Sequence, residues 1–341
     1  MDKTRVMVWG LGAMGGGIVR LAAAKPGLAV VAGVDRDPAK LGLDLGLAVE
    51  GPALGVKVEE DPAQALARAK PDLVVIATDS FLRTVAPQIE SAVGAGGNVI
   101  CIAEEMAYPW IVDAGEADRL DRLAKARGVT VLGTGINPGF VLDTLIIALT
   151  GVCHGIERIR AVRINDLSPF GPTVMRTQGV GVSPEEFDAG LASGAIVGHI
   201  GFQQSAAMIA AALGWRLDRV DEVREPIVSR VRRQTRYVTV EPGRVAGCRH
   251  LAHGYRGDQL VLELEHPQQV LPAAEGIETG DYITITGTPP VNLAIKPEIP
   301  GGIGTIGVAV NMIPIVMAAR PGLVSMKDLP VPALLGAGVG G

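Results

Sequence analysis

Short apolar runs and longer segments of helical periodicity alternate through the first 140 residues of this chain. Apolar runs of four to eight residues between helical patterns predict buried strands joined by helices, and therefore βαβ units in a parallel sheet. The predicted fold class is α/β, with a doubly wound parallel sheet. The predicted strands are 5–9, 29–34, 73–77, 98–102 and 129–133, and the predicted helices are 18–24, 62–69, 81–94 and 113–127.

The pattern changes after about residue 150, where polar and apolar residues alternate with a period of two. Such alternation is typical of strands with one buried face. We therefore predict a second α+β domain with a mostly antiparallel sheet. Its predicted strands are 156–165, 227–240, 244–255, 259–266 and 281–287, and its predicted helices are 184–193 and 200–213. A final apolar helix, 304–317, is predicted to pack back on the first domain.

Gly10, Gly12 and Gly15 form a G-x-G-x-x-G pattern between the first predicted strand and the first predicted helix. Glycines at these positions permit a tight turn, close approach of a pyrophosphate and close packing of helix on strand. The pyrophosphate then binds at the helix N-terminus. Asp35 ends the second strand, where the dinucleotide-binding fingerprint has a carboxylate for the ribose hydroxyls. The sequence therefore predicts a Rossmann-type sheet that binds NAD or NADP.

Ligands of such sheets lie at the carboxyl ends of the strands. Asp35 repels a 2′-phosphate and favours NAD, whereas Arg36 can stack on adenine or accept that phosphate, so the preference between NAD and NADP stays open. The predicted cofactor-binding residues are Gly10, Leu11, Gly12, Ala13, Met14, Gly15, Asp35, Arg36, Ala77, Thr78, Asp79 and Ser80.

The length of 341 residues is typical of two domains. Residues 1–140 plus 301–341 are predicted to form the dinucleotide-binding domain, and 141–300 a substrate-binding and dimerisation domain. We therefore expect a homodimer.

A net charge of −5 without a basic block argues against nucleic acid or an anionic membrane as a partner. The apolar stretch 303–319 is broken by Asn311 and Pro314, which favours a buried helix over a membrane span. Three scattered cysteines argue against a disulfide framework and favour the cytoplasm. The three cysteines are Cys101, Cys153 and Cys248. Their spacing is not that of metal ligands, so no metal is expected.

Glu104 and Glu105 follow the fourth predicted strand and precede an apolar stretch. A carboxylate at a strand end beside a cofactor and apolar walls has a raised pKa and serves as an acid or base near neutrality. The alternative is that both residues begin a helix, where acidic side chains are favoured by the dipole. The pattern does not choose between the two glutamates.

Polar residues elsewhere are candidates for substrate binding, each with a structural alternative. Asn137 follows a strand and either holds the substrate or serves turn chemistry. Arg163 and Asn165 share one face of a strand and either anchor a substrate or bond within the sheet. His199 precedes a helix, and Thr305 lies at the start of the last one; each is either a ligand contact or a structural group.

Several motifs resemble the 2,4-diaminopentanoate dehydrogenase family over nearly the whole chain. This family is related to dihydrodipicolinate reductase and includes the native amine dehydrogenases, which reductively aminate simple ketones and aldehydes. The motifs are WGLGAMG at 9–15, AEEM at 103–106 with YP at 108–109, GINPGF at 135–140, and NMIP, PGL and MKDLP at 311–314, 321–323 and 326–330.

The resemblance implies a catalytic glutamate after the fourth strand, with Glu104 as first choice and Glu105 as second. By analogy with homoserine dehydrogenase, whose corresponding loop carries a lysine, Glu104 falls at the catalytic place. The resemblance also implies a substrate pocket whose lining is Asn137, Phe140, Arg163, Asn165, His199, His266 and Thr305.

The expected function is that of an NAD(P)-dependent amine dehydrogenase, which deaminates an amine or diamino acid and, in reverse, aminates a ketone or aldehyde with ammonia. One alternative is a dihydrodipicolinate-reductase-like enzyme that reduces a C=C or C=N bond, although the adjacent histidine pair typical of such a site is absent. The other is a non-catalytic dinucleotide-binding protein.

Overall fold

The computed structural model describes residues 3–336, which divide into two compact units. Unit 1 comprises Met1–Thr144 and Gly301–Gly341, and unit 2 comprises Leu145–Pro300. The predicted first boundary, at residue 140, lies four residues earlier; the hydroxyl of Thr144 donates a hydrogen bond of 2.8 Å to the carbonyl oxygen of Gly139.

Unit 1 is built on a seven-stranded sheet in which every neighbouring pair of strands is parallel. The strands are β1 (Thr4–Trp9), β2 (Leu28–Val34), β3 (Val58–Glu59), β4 (Leu73–Ile76), β5 (Asn98–Cys101), β6 (Thr130–Gly133) and β15 (Gly322–Val324). Their order across the sheet is β15-β6-β5-β4-β1-β2-β3. The prediction of a doubly wound parallel sheet is confirmed. The short edge strands β3 and β15 were missed, since two or three residues carry no periodicity.

The helices of unit 1 begin and end at residues that the sequence marks. The third helix begins after Asp61, whose carboxylate accepts hydrogen bonds from two backbone N–H groups, and it has a proline in its first turn. The helices are α1 (Ala13–Ala23), α2 (Leu45–Ala48), α3 (Pro62–Ala69), α4 (Leu82–Gly94), α5 (Ala114–Arg127), α6 (Thr144–Thr150, which continues into unit 2), α10 (Gly301–Asn311) and α11 (Ile313–Ala318).

The C-terminal apolar segment 304–317 forms two helices and not the single helix that the sequence predicted. Met312 separates α10 from α11, and Pro314 lies in the first turn of α11, where its missing N–H costs no hydrogen bond. By length and composition, residues 301–318 would suffice to cross a membrane. In unit 1, however, α10 packs on α1, where Ile306 lies against Gly17. The segment is therefore a packing element of unit 1, as predicted.

Unit 2 is built on a six-stranded sheet that is antiparallel except for one parallel pair. The strands are β7 (Gly155–Asp166), β8 (Arg219–Val228), β11 (Val245–Arg256), β12 (Gln259–Gln269), β13 (Gly280–Thr288) and β14 (Val291–Ile295). A two-stranded ribbon of β9 (Arg233–Gln234) and β10 (Thr239–Val240) and the helices α7 (Pro172–Thr177), α8 (Pro184–Ser193) and α9 (Phe202–Leu213) complete the unit. The mostly antiparallel sheet is confirmed.

The predicted strand at 227–240 is wrong. The strand in this region is β8, which ends at Val228, and it was missed because it is an edge strand rich in charged residues. Edge strands tolerate charges and proline, and β8 contains Pro226. The apolar residues after 228 belong to the short ribbon of β9 and β10.

Candidate active site

The strand order of unit 1 reverses between β1 and β4, which is where open α/β sheets bind their ligands. Gly10 follows β1 at this point with φ +92°, a conformation that favours glycine. A Cβ atom on Gly10 would lie 2.5 Å from the carbonyl oxygen of Ala77, which follows β4. The first glycine of the motif therefore permits the two strand ends to approach.

The other two glycines of the motif shape the N-terminus of α1. A Cβ atom on Gly15 would lie 1.7 Å from the carbonyl oxygen of Gly10, so this position holds the helix against the turn. Gly12 differs, because a Cβ atom there would meet nothing within 4 Å. Gly12 is the N-cap residue and has no side chain to cap α1, so the space beside the first turn is open to a ligand.

A cleft of about 500 Å³ extends from the glycine turn across the ends of β1, β2 and β4. Its uncapped helix N-terminus and its carboxylate at the end of β2 fit the pyrophosphate and the adenosine ribose of NAD or NADP. Ala13, Met14 and Gly15 form the first turn of α1, and Ser80 follows the cleft residues after β4. The other predicted cofactor residues line the cleft: Gly10, Leu11, Gly12, Asp35, Arg36, Ala77, Thr78 and Asp79.

Asp35 joins the end of β2 to the glycine turn. Its Oδ2 atom accepts a hydrogen bond of 2.7 Å from the backbone N–H of Leu11, and its Oδ1 atom accepts from the backbone N–H groups of Arg36 and Asp37. Burial by itself raises the pKa of Asp35, but the hydrogen bonds from Asp37 and Leu11, together with nearby Lys40, lower it below its ordinary value. Asp35 is therefore a fixed anion at the ribose end of the cleft.

The loop after β4 is held by its own side chains. Asp79 accepts hydrogen bonds from the backbone N–H groups of Ser80 and Phe81, and Thr78 donates to the side-chain oxygen of Gln88 at 2.6 Å. The carbonyl oxygen of Ser80 accepts from the backbone N–H of Glu105 at 3.1 Å. This hydrogen bond ties the loop after β4 to the loop after β5.

Glu104 and Glu105 occupy different environments at the end of β5. The Oε2 atom of Glu105 accepts a hydrogen bond of 2.7 Å from the backbone N–H of Leu82, at the start of α4. Glu105 also lines a second cavity, of about 540 Å³, with Phe81 and Arg83. Its carboxylate therefore caps a helix.

Glu104 is half-buried and hydrogen-bonded to the side chain of Ser80. Burial raises the pKa of Glu104 above its ordinary value, and the negative charges of Asp79 and Glu105 add to the rise, whereas the hydrogen bond from Ser80 opposes it. A carboxylate with a raised pKa next to the dinucleotide cleft is suited to exchange protons near neutrality.

The loop after β6 carries Asn137 and Phe140, both half-buried. The hydroxyl oxygen of Thr305, on α10, accepts a hydrogen bond of 3.2 Å from the backbone N–H of Ile136 and so holds this loop. Asp143 closes the loop by accepting from the backbone N–H of Gly139 at 2.7 Å. Substrate contacts of Asn137, Phe140 and Thr305 stay predictions.

In unit 2, Arg163 and Asn165 lie on the buried face of β7, as their spacing predicted. The guanidinium of Arg163 is 2% exposed and contacts Asp281 of β13, with 2.5 Å between Nη1 and Oδ1. Its Nη2 atom donates to the carbonyl oxygen of Ile299. Arg163 is thus paired on two sides within unit 2, and the contact with a substrate carboxylate stays a prediction.

Three buried histidines pack together beside this ion pair. The ring centroids of His199 and His266 are 4.9 Å apart, and those of His199 and His250 are 6.4 Å apart. His266 is hydrogen-bonded to Asn165 at 3.0 Å, and His250 to Glu222 at 2.8 Å. Burial lowers the pKa of His199 to about 3, with help from the charge of His250. Burial likewise takes the pKa of His266 well below its ordinary value.

The partners of the candidate residues were not predicted in either unit. Lys40 lines the dinucleotide cleft beside Asp35, and Asp281 pairs with Arg163. The partners lie 5 and 118 residues away along the chain, and no spacing rule joins them. His250, whose ring packs against His199, was not among the predicted site residues. Within residues 3–336, no group of three His, Cys, Asp or Glu side chains is placed to hold a metal ion.

The parallel sheet with its glycine turn, its cleft at the strand reversal and its carboxylate at the end of β2 defines a dinucleotide-binding protein of the NAD(P) type. The family model of the 2,4-diaminopentanoate dehydrogenase C-terminal domain matches residues 140–339, and that of the dihydrodipicolinate reductase N-terminus matches residues 4–92. The chain belongs to the 2,4-diaminopentanoate dehydrogenase family and is an oxidoreductase of the amine dehydrogenase class.

Similar proteins cover this chain almost completely. It is 44% identical to 2,4-diaminopentanoate dehydrogenase of Acetoanaerobium sticklandii, over 98% of this chain and 96% of that protein. It is 26% identical to an amine dehydrogenase of Streptomyces virginiae, over 97% of both chains. The solved structure of an amine dehydrogenase from Mycobacterium smegmatis has a TM-score of 0.85 at 29% identity, over 97% of both chains.

Proposed function

We propose that this enzyme oxidatively deaminates a small amine, with 2,4-diaminopentanoate as the first candidate substrate, and that Glu104 is its catalytic base. The observation that carries the assignment is the contrast between the two neighbouring carboxylates. Glu105 caps α4, whereas Glu104 has a raised pKa beside the cleft. The identity of 44% to a 2,4-diaminopentanoate dehydrogenase supports the substrate.

Bound NAD(P)+ supplies the acceptor for the hydride that leaves the carbon bearing the amine. The carboxylate of Glu104 takes a proton from the substrate ammonium, which frees the nitrogen lone pair to assist departure of the hydride. Glu104 then passes that proton on and takes one from a water molecule that attacks the iminium carbon. Collapse of the adduct releases the ketone and ammonium, and the reverse sequence aminates a ketone or aldehyde with ammonia.

The first experiment is a screen of NAD+ and NADP+ reduction over diamino acids and simple alkyl amines. Turnover of 2,4-diaminopentanoate well above that of alkyl amines supports the proposed substrate. Turnover confined to alkyl amines would mean that the substrate is a simple amine and not a diamino acid. Absence of turnover with every amine overturns the proposal.

The second experiment compares Glu104→Gln with Glu105→Gln. We expect Glu104→Gln to keep its affinity for the cofactor and to lose roughly 10²–10⁴-fold in kcat, because glutamine accepts no proton. Glu105→Gln serves as the matched control. It should lower the melting temperature and leave kcat close to the wild-type value. A dead Glu105→Gln with an active Glu104→Gln would assign the base to Glu105.

A reductase of the dihydrodipicolinate type is not favoured, because the family model of that reductase matches only residues 4–92, whereas the 2,4-diaminopentanoate dehydrogenase model matches residues 140–339. The location in the cytoplasm and the homodimer are also proposals. They rest on three cysteines that are free in the structure and on the sequence assignment of unit 2 to dimerisation. Light scattering of the purified enzyme tests the dimer, and a monomer at micromolar concentration would contradict it.

A further inference from the structure

Lys40 stands between the glycine turn and the carboxylate that ends β2. Its Nζ atom donates a hydrogen bond of 2.9 Å to the carbonyl oxygen of Leu11. The same atom lies 3.6 Å from Oδ2 of Asp35 and 3.7 Å from a carboxylate oxygen of Asp37. The side chain is 24% exposed and lines the cleft, so its remaining protons can reach a ligand.

The position of Lys40 is set by the turn that carries it. Its backbone N–H donates to the carbonyl oxygen of Asp37, and Gly42 donates to the carbonyl oxygen of Val58 on β3. The contact with Leu11 then orients the ammonium group before any ligand binds. A pre-oriented charge loses less conformational entropy on binding than the exposed side chain of Arg36 does.

The charge balance at this end of the cleft decides whether a phosphate is tolerated. Asp35, Asp37 and Glu60 supply negative charge, and Arg36 and Lys40 supply positive charge. A 2′-phosphate adds close to two further negative charges beside Asp35, where the ribose hydroxyls of a dinucleotide bind. Asp35 alone would exclude it, and Lys40 is the cation nearest to the atom that would repel it.

We propose that Lys40 is the residue that admits the 2′-phosphate of NADP, by neutralising Asp35 and donating a charge-assisted hydrogen bond to the phosphate. The enzyme then binds NAD and NADP in the same cleft despite its NAD-type carboxylate. The inference rests on the dinucleotide site and does not depend on the amine substrate of the proposed function.

The test uses isothermal calorimetry of the full chain with two ligand fragments, 5′-AMP and 2′,5′-ADP, which differ only by the 2′-phosphate. The wild-type protein should bind 2′,5′-ADP within about tenfold of its affinity for 5′-AMP. In Lys40→Gln, which keeps a hydrogen-bond donor but no charge, the Kd of 2′,5′-ADP should rise about tenfold or more, and that of 5′-AMP less than about threefold.

Two further variants separate this role from a structural one. Lys40→Arg should restore binding of 2′,5′-ADP, because it restores the charge. Lys125→Gln is the matched control. Lys125 lies outside the cleft and, like Lys40, pairs with an aspartate that accepts a backbone hydrogen bond; the partner is Asp121, at 2.6 Å. It should leave both fragments unaffected.

Equal losses for both fragments in Lys40→Gln would show that Lys40 only holds the glycine turn, and would overturn the proposal. So would a wild-type protein that binds 5′-AMP but not 2′,5′-ADP. Neither fragment carries nicotinamide or amine, so an enzyme inactive on every amine leaves this result intact. A melting temperature for each variant verifies that it is folded, and Lys40→Arg decides the matter if Lys40→Gln does not fold.

Discussion

At the level of single residues, two adjacent glutamates with the same side chain differ in the groups that hold their carboxylates. The carboxylate of Glu105 accepts a hydrogen bond from a backbone N–H of α4. Glu104 is hydrogen-bonded to Ser80 in a half-buried position and has a raised pKa. Sequence position could not separate them, because the difference comes from residues on the loop after β4. Tertiary contacts between two strand ends make the distinction.

The raised pKa of Glu104 leads to a pH prediction for activity. Only the carboxylate form accepts a proton, so kcat/KM for amine oxidation should fall as the pH falls through the pKa of Glu104. The inflection should lie above the ordinary value of 4.5. The measurement is the pH profile of wild-type enzyme, with Glu105→Gln as control. If the inflection in Glu105→Gln fell back to the ordinary value of 4.5, the assignment of the raised inflection to burial of Glu104 would be contradicted.

The pH dependence of stability should have the opposite sign to that of activity: the free energy of unfolding should fall as the pH rises. Since the folded pKa of Glu104 is raised above the unfolded value, the stability it contributes is fully present below about pH 4.5 and is lost as the pH rises through the folded pKa. Glu104→Gln should therefore melt at a higher temperature than wild type at pH 8, and the difference should shrink towards pH 4. Thermal scans at both pH values measure this, and a destabilised variant at pH 8 speaks against a buried charge.

At the level of elements, the glycine turn between β1 and α1 combines a structural and a functional requirement. Gly15 packs against the turn, and Gly12 faces open space. The motif predicts approach of a pyrophosphate at Gly12 and close packing at Gly15. The structure adds what a side chain at each position would meet.

Alanine substitutions distinguish the two roles. Gly15→Ala places a Cβ atom 1.7 Å from the carbonyl oxygen of Gly10, so it should lower the melting temperature by several degrees and abolish cofactor binding. Gly12→Ala meets no atom, so it should melt like wild type but bind NAD+ at least roughly tenfold more weakly, because the methyl group occupies space for the pyrophosphate. Calorimetry with NAD+ measures this. Unchanged affinity in Gly12→Ala would place the pyrophosphate elsewhere.

Strands β7 and β13 are joined by a buried ion pair that carries its own prediction. Arg163→Met leaves Asp281 buried without its cation, which should destabilise unit 2 by about 3–5 kcal/mol. Arg160→Met, on the same strand but 47% exposed, is the matched control and should cost about 0–1 kcal/mol. Urea unfolding of both variants provides the comparison, and equal small losses would mean that the buried pair contributes little.

The same variant tests the expected contact of Arg163 with a substrate. If it anchors a carboxylate, Arg163→Met should lose kcat/KM for diamino acids and keep it for alkyl amines. Equal losses on both classes would assign Arg163 to the structure of unit 2 alone.

At the level of the whole molecule, the two units differ in what acid does to them. Unit 2 contains His199, His250 and His266, whose pKa values are all lowered, by burial first. A histidine that is neutral when folded and charged when unfolded withdraws stability as the pH falls below its unfolded pKa of 6.5. Arg163 and Arg224 oppose protonation of the cluster, and Glu222 favours it.

We therefore expect unit 2 to unfold in acid more readily than unit 1. Its stability should fall by up to about 1.4 kcal/mol per pH unit for each such histidine below pH 6.5. Trp215 reports on unit 2 in a Trp9→Phe/Trp110→Phe background, in urea at pH 8, 7, 6 and 5. His199→Phe should flatten the dependence, since phenylalanine has no proton to gain. A slope that persists unchanged would mean that His199 is not buried neutral.

The amino-acid sequence was sufficient for the features that depend on near neighbours in the chain. Periodicity located five of the seven strands of unit 1 and four strands of the six-stranded sheet of unit 2, and glycine spacing located the cofactor turn. These signals are local, because strand pleating and helix pitch impose their periods within a few residues. The charged edge strand β8 lay beyond them, since an edge strand buries too little apolar surface to show the pattern.

The fold alone decided which polar groups are paired and which face a cleft. Arg163 meets Asp281, Glu105 meets the start of α4, and Lys40 meets the glycine turn because strands and loops distant in the chain come together. Hydrogen bonds and charges act over a few ångströms in space, and distance along the chain does not enter them. Residue types therefore show where chemistry is available, and the tertiary contacts determine which of those residues remain to perform it.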